Sequence, residues 1–354
     1  MTQRRATEPA TARLPGAAAA TSATAVGGRT EPIPLTERIL ARLPGSRSAN
    51  MLAWAAVPWL NLAVVFAADY ADWVKPVDVA AEVLNRFAAS FAVLLALWGA
   101  ARTADELGRL RPALVEAVEQ DEPDVAALFR GLDSTAVPLL LTVAVGLILP
   151  LDEALRDDPA AAALQGLTWL VIGVPLATAV WVYVTVQLGL NRLGLGRLTL
   201  RGYRGDRSLG LQPVGAVAFT GFWMLLGTVT PLVLTGGADP PSVLVGAGVL
   251  LVGVGLFFWS LRGLHRQMTM VKQREVGRAR RLYQQAHDRI RDDLTLEQLE
   301  RHAGTLNAAE AFEKRAERIQ SWPFDEGTFA RFATIASSAV ATIIARLLLT
   351  PAGL

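Results

Sequence analysis

Residues 242–264 read SVLVGAGVLLVGVGLFFWSLRGL, and residues 265–282 carry on as HRQMTMVKQREVGRARRL. The first stretch is interrupted only by Arg262 and is longer than the ~20 apolar residues a helix needs to cross ~30 Å of hydrocarbon. The second turns polar without a breaker, yet Met268, Val271, Ala279, Leu282, Ala286 and Ile290 stay on roughly one face. One helix from Ser242 to about Asp292 is therefore expected. At 1.5 Å per residue it is ~75 Å long, more than twice the hydrocarbon thickness, so a rod must project beyond the membrane.

Outward from this helix the chain repeats the apolar pattern. Five further strong segments lie near Met51 to Asp69, Val83 to Ala101, Ser134 to Leu151, Leu164 to Leu190 and Gln212 to Thr235, and a weaker one runs from Phe329 to Thr350. Of 354 residues 52% are hydrophobic and 19% charged, with a mean hydropathy of +0.34, values that exclude an ordinary soluble enzyme. The fold class expected is all-α: a polytopic membrane protein with seven transmembrane helices. The absence of Cys removes disulfides, thiolate metal sites and thiol nucleophiles.

Basic residues test this count, because they gather on cytoplasmic connections. Thirty of the 34 Lys and Arg fall before Met51, between Arg102 and Arg130, between Arg192 and Arg207, or between Arg262 and Arg331. Only Lys75, Arg86, Arg156 and Arg346 fall on the other side. That side is acidic, with Asp69, Asp72, Asp78 and Glu82 in one connection and Asp152, Glu153, Asp157 and Asp158 in another. The inferred topology is N-terminus inside and C-terminus outside. Trp54, Trp59, Trp98, Trp169, Trp181, Trp223 and Trp259 cluster in or near the spans, where several suit interfacial belts. The preference for Arg over Lys fits a GC-rich prokaryote, and hence a multi-pass protein of the plasma membrane.

Four regions follow. Residues 1–50 form a cytoplasmic tail, disordered to about residue 32, with a short amphipathic segment at Ile33 to Leu43 that either lies on the membrane surface or simply leads into the first span. Residues 51–264 hold six helices, 265–327 a cytoplasmic helical anchor, and 328–354 the seventh helix with a short outer tail. Pro58, Pro138, Pro175 and Pro231 sit inside predicted spans, where each removes a backbone donor and can bend its helix. A Gly-rich stretch, Gly202 to Gly210, carries Arg204 and Arg207; lipid phosphates and the charge rule explain it equally.

In the anchor, Thr295 with Gln298 has capping-box spacing, Gly304 is a stop signal, and Asn307 with Glu310 repeats the start signal, so two short helices are expected. The second presents Phe312, Ala316 and Ile319 on one side, a stripe that must bury itself within the subunit or against a neighbour. Trp322-Pro323-Phe324-Asp325 then forms a joint. Pro323 forces Trp322 out of helical geometry, Asp325 can cap the next helix, and Trp322 and Phe324 suit the headgroup level.

Beyond the joint, Thr334, Ser337, Ser338, Ala341, Thr342 and Ala345 recur at offsets that form one stripe of small and hydroxyl side chains, with Arg346 close to its outer end. Three readings compete. The stripe is a surface for close helix packing; Arg346 merely snorkels to the interface; or copies of the helix surround an axis, so that hydroxyls line water and Arg346 attracts anions at the mouth.

Other chemistries lack residues to carry them. Carboxylates and histidines at membrane depth, which coupled transporters need, are missing, and so are internal repeats. No phosphate-cradling Gly-x-x-x-x-Gly-Lys or zinc-binding His-Glu-x-x-His occurs. His265, His287 and His302 read as solvated helix residues; His287 with Asp288, Asp292 and Asp293 forms a polar face rather than a metal site. Isolated Asn61, Thr142, Thr228 and Thr230 are expected to bond nearby backbone. No enzyme activity, cofactor, metal or nucleic acid is expected.

The arrangement resembles the insect odorant and gustatory receptor superfamily of ion channels: seven spans, an inside N-terminus, a sixth helix running far into the cytoplasm, a return helix and a last helix ending outside. The resemblance is one of layout. It implies a homotetramer whose cytoplasmic extensions, Arg266 to Ile319 here, form an anchor between subunits. It also implies a pore lined by the last helix, with Thr334, Ser338, Thr342 and Arg346 toward the axis. The expected function is thus a homo-oligomeric ion channel, its ligand unknown, gated through the cytoplasmic helices. The alternative is a non-conducting membrane scaffold or sensor whose cytoplasmic helices bind a partner.

Overall fold

The computed structural model of the chain describes residues 33–70, 79–117, 125–148, 159–196, 200, 207–235, 240–292, 296–324 and 326–349. Every extended regular element among them is a helix. In chain order these are α1 (Leu35–Leu40), α2 (Arg47–Ala55), α3 (Val57–Tyr70), α4 (Val79–Ala117), α5 (Val125–Leu128), a 3-10 turn (Arg130–Asp133), α6 (Ala136–Ile148), α7 (Pro159–Leu195), α8 (Gln212–Thr235), α9 (Pro240–Asp292), α10 (Leu296–Glu317) and α11 (Glu326–Leu349).

Among the described residues, five stretches are long and apolar enough to cross a membrane: α2 with α3 end to end, and parts of α4, α7, α8 and α9. They carry broad exposed apolar surfaces, including Phe87 and Trp98 on α4 and Leu251 and Val252 on α9, as lipid-facing helices do. The protein is thus a membrane-embedded helical bundle. The described part of α6 is 13 residues, or ~20 Å; residues 149–151 of the expected span lie outside the described residues. The last helix, α11, is not among the five.

Glycines set how closely the helices approach. Gly99 of α4 packs against Met224 of α8 and Gly227 of α8 against Leu95 of α4, which fixes an antiparallel register. Gly194 near the end of α7 meets Gly263 of α9 backbone to backbone: a side chain on Gly194 would lie 2.8 Å from the Leu264 nitrogen. Gln267 of α9 seals this crossing by donating to the carbonyls of Gly194 and Gly196 at 2.6 and 2.7 Å, which caps the last turn of α7.

The bundle interior is apolar around one polar knot. Ser260 of α9 donates to Gln187 of α7 and is held within 2.8 Å of its own helix's Phe257 carbonyl; Gln187 in turn donates to Ala218 O of α8. Tyr183 of α7, also buried, donates to Gly253 O of α9. Thr142 bonds Pro138 O as isolated membrane hydroxyls do, and Asn61 donates to Leu164 O of α7. Thr228 and Thr230 depart from that expectation, their hydroxyls having no hydrogen-bond partner among the described residues.

The long helix is as the sequence indicates, 53 residues and ~80 Å from Pro240 to Asp292. Several expectations change. The anchor has one helix after the rod, not two: Gly304 lies inside α10, because a mid-helix glycine costs only ~1 kcal/mol and Leu306, Ala308 and Ala309 continue it. Asn307 and Glu310 are consequently interior to it; Thr295 lies outside the described residues. The buried side of α10 runs through Ala309, Ala316 and the following Ile319, while Phe312 sits at its edge and is 55% exposed.

The N-terminal segment packs against the bundle. Leu35, Thr36 and Leu40 of α1 are buried, and Ile33 N and Arg38 donate to the Asp133 side chain and carbonyl, each at 3.0 Å. Of the four prolines, Pro175 and Pro231 are interior to helices. Pro58 and Pro138 instead occupy first turns of α3 and α6, where a missing N–H costs nothing.

Candidate functional site

The joint between the α9–α10 unit and α11 is built from three directions. Residues 318–324 leave α10 and pass beneath the start of α8. Gln320 N donates to Arg207 O at 2.9 Å, and Gly215 of α8 leaves no room for a Cβ because the Pro323 carbonyl occupies that space. The turn leading to α8 is itself strained. Leu209 takes φ +56°, a left-handed conformation unusual outside glycine, and is held there by burial beside Leu211.

On the other side, α9 supplies Phe257, Phe258 and His265. Trp322 stacks on His265 with ring centroids 4.3 Å apart and planes 22° apart, and the His265 Nδ1 lies 2.8 Å from the Ser321 carbonyl oxygen. Phe324 stacks on Trp322 at 5.6 Å and on Phe329 of α11 at 5.9 Å. Deeper in the membrane, Phe332 of α11 sits 4.7 Å from Phe257 and 4.6 Å from Phe222 of α8. One aromatic train thus runs from the foot of α9 through the joint into the first turns of α11. Burying a phenylalanine there contributes on the order of 3 kcal/mol.

The expected joint residues Trp322, Pro323 and Phe324 therefore converge. Pro323 is buried, and Trp322 and Phe324 are half-buried against protein. Asp325 lies outside the described residues. His265 is not the solvated residue its polar neighbourhood indicated: it is half-buried and bonded across 56 positions of chain. Sequence reasoning also missed Phe222, Phe257, Phe258 and Phe332. The only signal for them was the density of aromatics around residues 219–223, 257–259 and 322–332.

Along α11 two faces separate. Phe332 is buried, and Ile335 and Ala336 pack against the core. Thr334, Ser337, Ser338, Ala341 and Ala345 are all exposed. Thr334 donates to Ala330 O at 3.0 Å and Ser337 to Thr334 O at 2.9 Å, so these hydroxyls satisfy themselves on their own helix. The backbone of α11 carries Thr342 and Arg346 in the same register, but their side chains are not among the described residues.

Among the described residues no group of three or more His, Asp or Glu could hold a metal ion. Two surface ion pairs lie toward the far end. Arg280 of α9 meets Glu313 of α10 at 3.0 Å, and Lys314 beside Glu310 holds that exposed carboxyl below its ordinary range. The arrangement is mechanical: a rod, a clasped joint and a helix with one bare face of small residues. In comparisons with known proteins, no family model, no curated protein and no solved structure matches the chain.

Proposed function

We propose that the protein is a homo-oligomeric ion channel, tetrameric by the layout it shares with the receptor channels, with seven crossings, N-terminus inside and C-terminus outside, in which sister copies of α11 meet along the hydroxyl stripe. The observation that carries this reading is the division of α11 into a packed face, Phe332, Ile335 and Ala336, and a solvent-exposed one, Thr334, Ser337, Ser338, Ala341 and Ala345. Small and hydroxyl residues permit close helix approach in membranes, and rings of them around an axis tolerate water. Conduction would be passive. Movement of α9 and α10 reaches α11 through the aromatic train, and Arg346 at the outer mouth favours anions over cations.

The test is current across planar bilayers from purified protein, with Ser338→Trp and Arg346→Ala as variants. The expected result is a block in the first and altered selectivity in the second. A wild-type current indifferent to both changes removes α11 from the pathway. A second reading, a scaffold or sensor of the plasma membrane, is favoured by exposed Met270, Leu282 and Phe312 on the cytoplasmic helices. Under that reading the wild type carries no current, and Phe312→Ser abolishes partner binding.

A further inference from the structure

The lipid-facing side of α9 continues past the last of its apolar residues. Leu251 and Val252 are exposed, Gly255 has open space where a side chain would be, and Trp259 is 46% exposed. Arg262 and Arg266, both exposed, carry the same side onward. These six positions span about 100° of arc around the helix, while Leu261, Leu264 and Met268, all fully buried, fill the opposite side. One face of a single helix thus passes from aliphatic side chains through an indole to two guanidinium groups a turn apart.

We propose that Trp259, Arg262 and Arg266 bind the headgroup of an anionic phospholipid whose acyl chains lie along Leu251 and Val252. The chemistry is phosphate recognition: a guanidinium presents a planar fork of donors that matches phosphate oxygens and keeps its charge at any working pH. Along the axis Arg262 stands ~4.5 Å and Arg266 ~10.5 Å beyond Trp259. Indole rings settle at the headgroup level, and helical side chains lean toward the N-terminus, here back toward the bilayer. Both long side chains therefore reach the headgroup layer, which is ~5–7 Å deep.

Gathering basic residues on one side of a membrane requires neither a lipid-facing position nor the lack of a carboxylate. Arg47, Arg86, Arg102, Arg280 and Lys314 each meet a carboxylate, whereas Arg262 and Arg266 are in no ion pair among the described residues. From Pro240 to Arg274, α9 contains no Asp or Glu, so its own nearest carboxylate, Glu275, is more than two turns away. Arg207, Arg318 and Arg331 on the adjoining segments are exposed as well and add positive charge; the side chains of Asp325 and Glu326 lie outside the described residues. A zwitterionic headgroup would bring its own ammonium into this surround, which is why the site selects anionic lipid. The inference rests on membrane embedding, not on conduction.

The experiment reconstitutes the full-length protein in phosphatidylcholine vesicles and compares how much spin-labelled phosphatidylglycerol and spin-labelled phosphatidylcholine it immobilises. The wild type should prefer phosphatidylglycerol severalfold. A basic residue at a membrane surface is worth about fivefold, so Arg262→Gln and Arg266→Gln should each cut the preference by up to that factor, and the double variant further. Arg274→Gln with Arg278→Gln, roughly 12 and 18 Å beyond Arg266 on the same rod, should leave it unchanged. Equal immobilisation of phosphatidylcholine by all variants reports an intact fold. The proposal is overturned by a wild type without preference, by an equal loss in the distal variant, or by a preference that survives the double variant, as it would if Asp325 and Glu326 neutralised the pair. A preference erased by inorganic phosphate, but not by chloride at the same ionic strength, would mark a free-anion site and overturn it too.

Discussion

Gly215 of α8 and the Pro323 carbonyl occupy adjoining space with no gap for a methyl group. Gly215→Ala must therefore push the joint or the start of α8 aside. The expected cost is about 1–3 kcal/mol, the usual range for overpacking, read as a lowered thermal midpoint in detergent. New protease cutting near residues 318–324 should accompany it. An unchanged midpoint with unchanged cutting would show that the joint is looser than its geometry.

The Gly194 and Gly263 backbones meet at the crossing of α7 and α9. Gly194→Leu and Gly263→Leu should each destabilise by about 1–3 kcal/mol. Because both separate the same pair of helices, the double variant should lose less than the two single losses combined. Full additivity in a double-mutant cycle would dissolve the crossing.

Ser260→Ala leaves the buried Gln187 Oε1 without its donor. An orphaned buried polar group costs about 1–3 kcal/mol. Gln187→Met added to Ser260→Ala should recover part of that loss, since no acceptor is then stranded. Denaturation of the three variants checks the order, and a double variant weaker than Ser260→Ala contradicts it.

Phe312, exposed on α10, contributes little to the fold of one copy. Phe312→Ser should leave the thermal midpoint of monomeric protein unchanged. If copies associate through the cytoplasmic helices, the same change should weaken association by about tenfold, or ~1.4 kcal/mol, in sedimentation or fluorescence dilution. Loss of monomer stability would instead mean that Phe312 is needed within a single chain.

What the sequence made legible follows from how local each signal is. The rod was readable because the 3.6-residue pattern from Ser242 to Asp292 has no competing breaker, and α9 has nearly those bounds. The inner part of α4 was not credited, because the apolar window ended at Arg102. Yet Leu107, Leu110 and Leu114 are buried at helical spacing and carry the helix to Ala117. Gly304 misled for the opposite reason, being a stop signal without the left-handed turn that would make it one. The two faces of α11 were visible as a stripe, but the stacking of His265 on Trp322 was not. The two residues are 57 positions apart, and only the return of α10 beside α9 brings them together.

Past His265 the rod runs another 27 residues to Asp292, roughly 40 Å at 1.5 Å per residue. A stiff arm of that length acts as a lever with its short end under the bilayer. A tilt of about 5° at the fulcrum sweeps the far tip through roughly 3.5 Å, so a small displacement imposed at that tip arrives at the joint reduced in distance and multiplied in force.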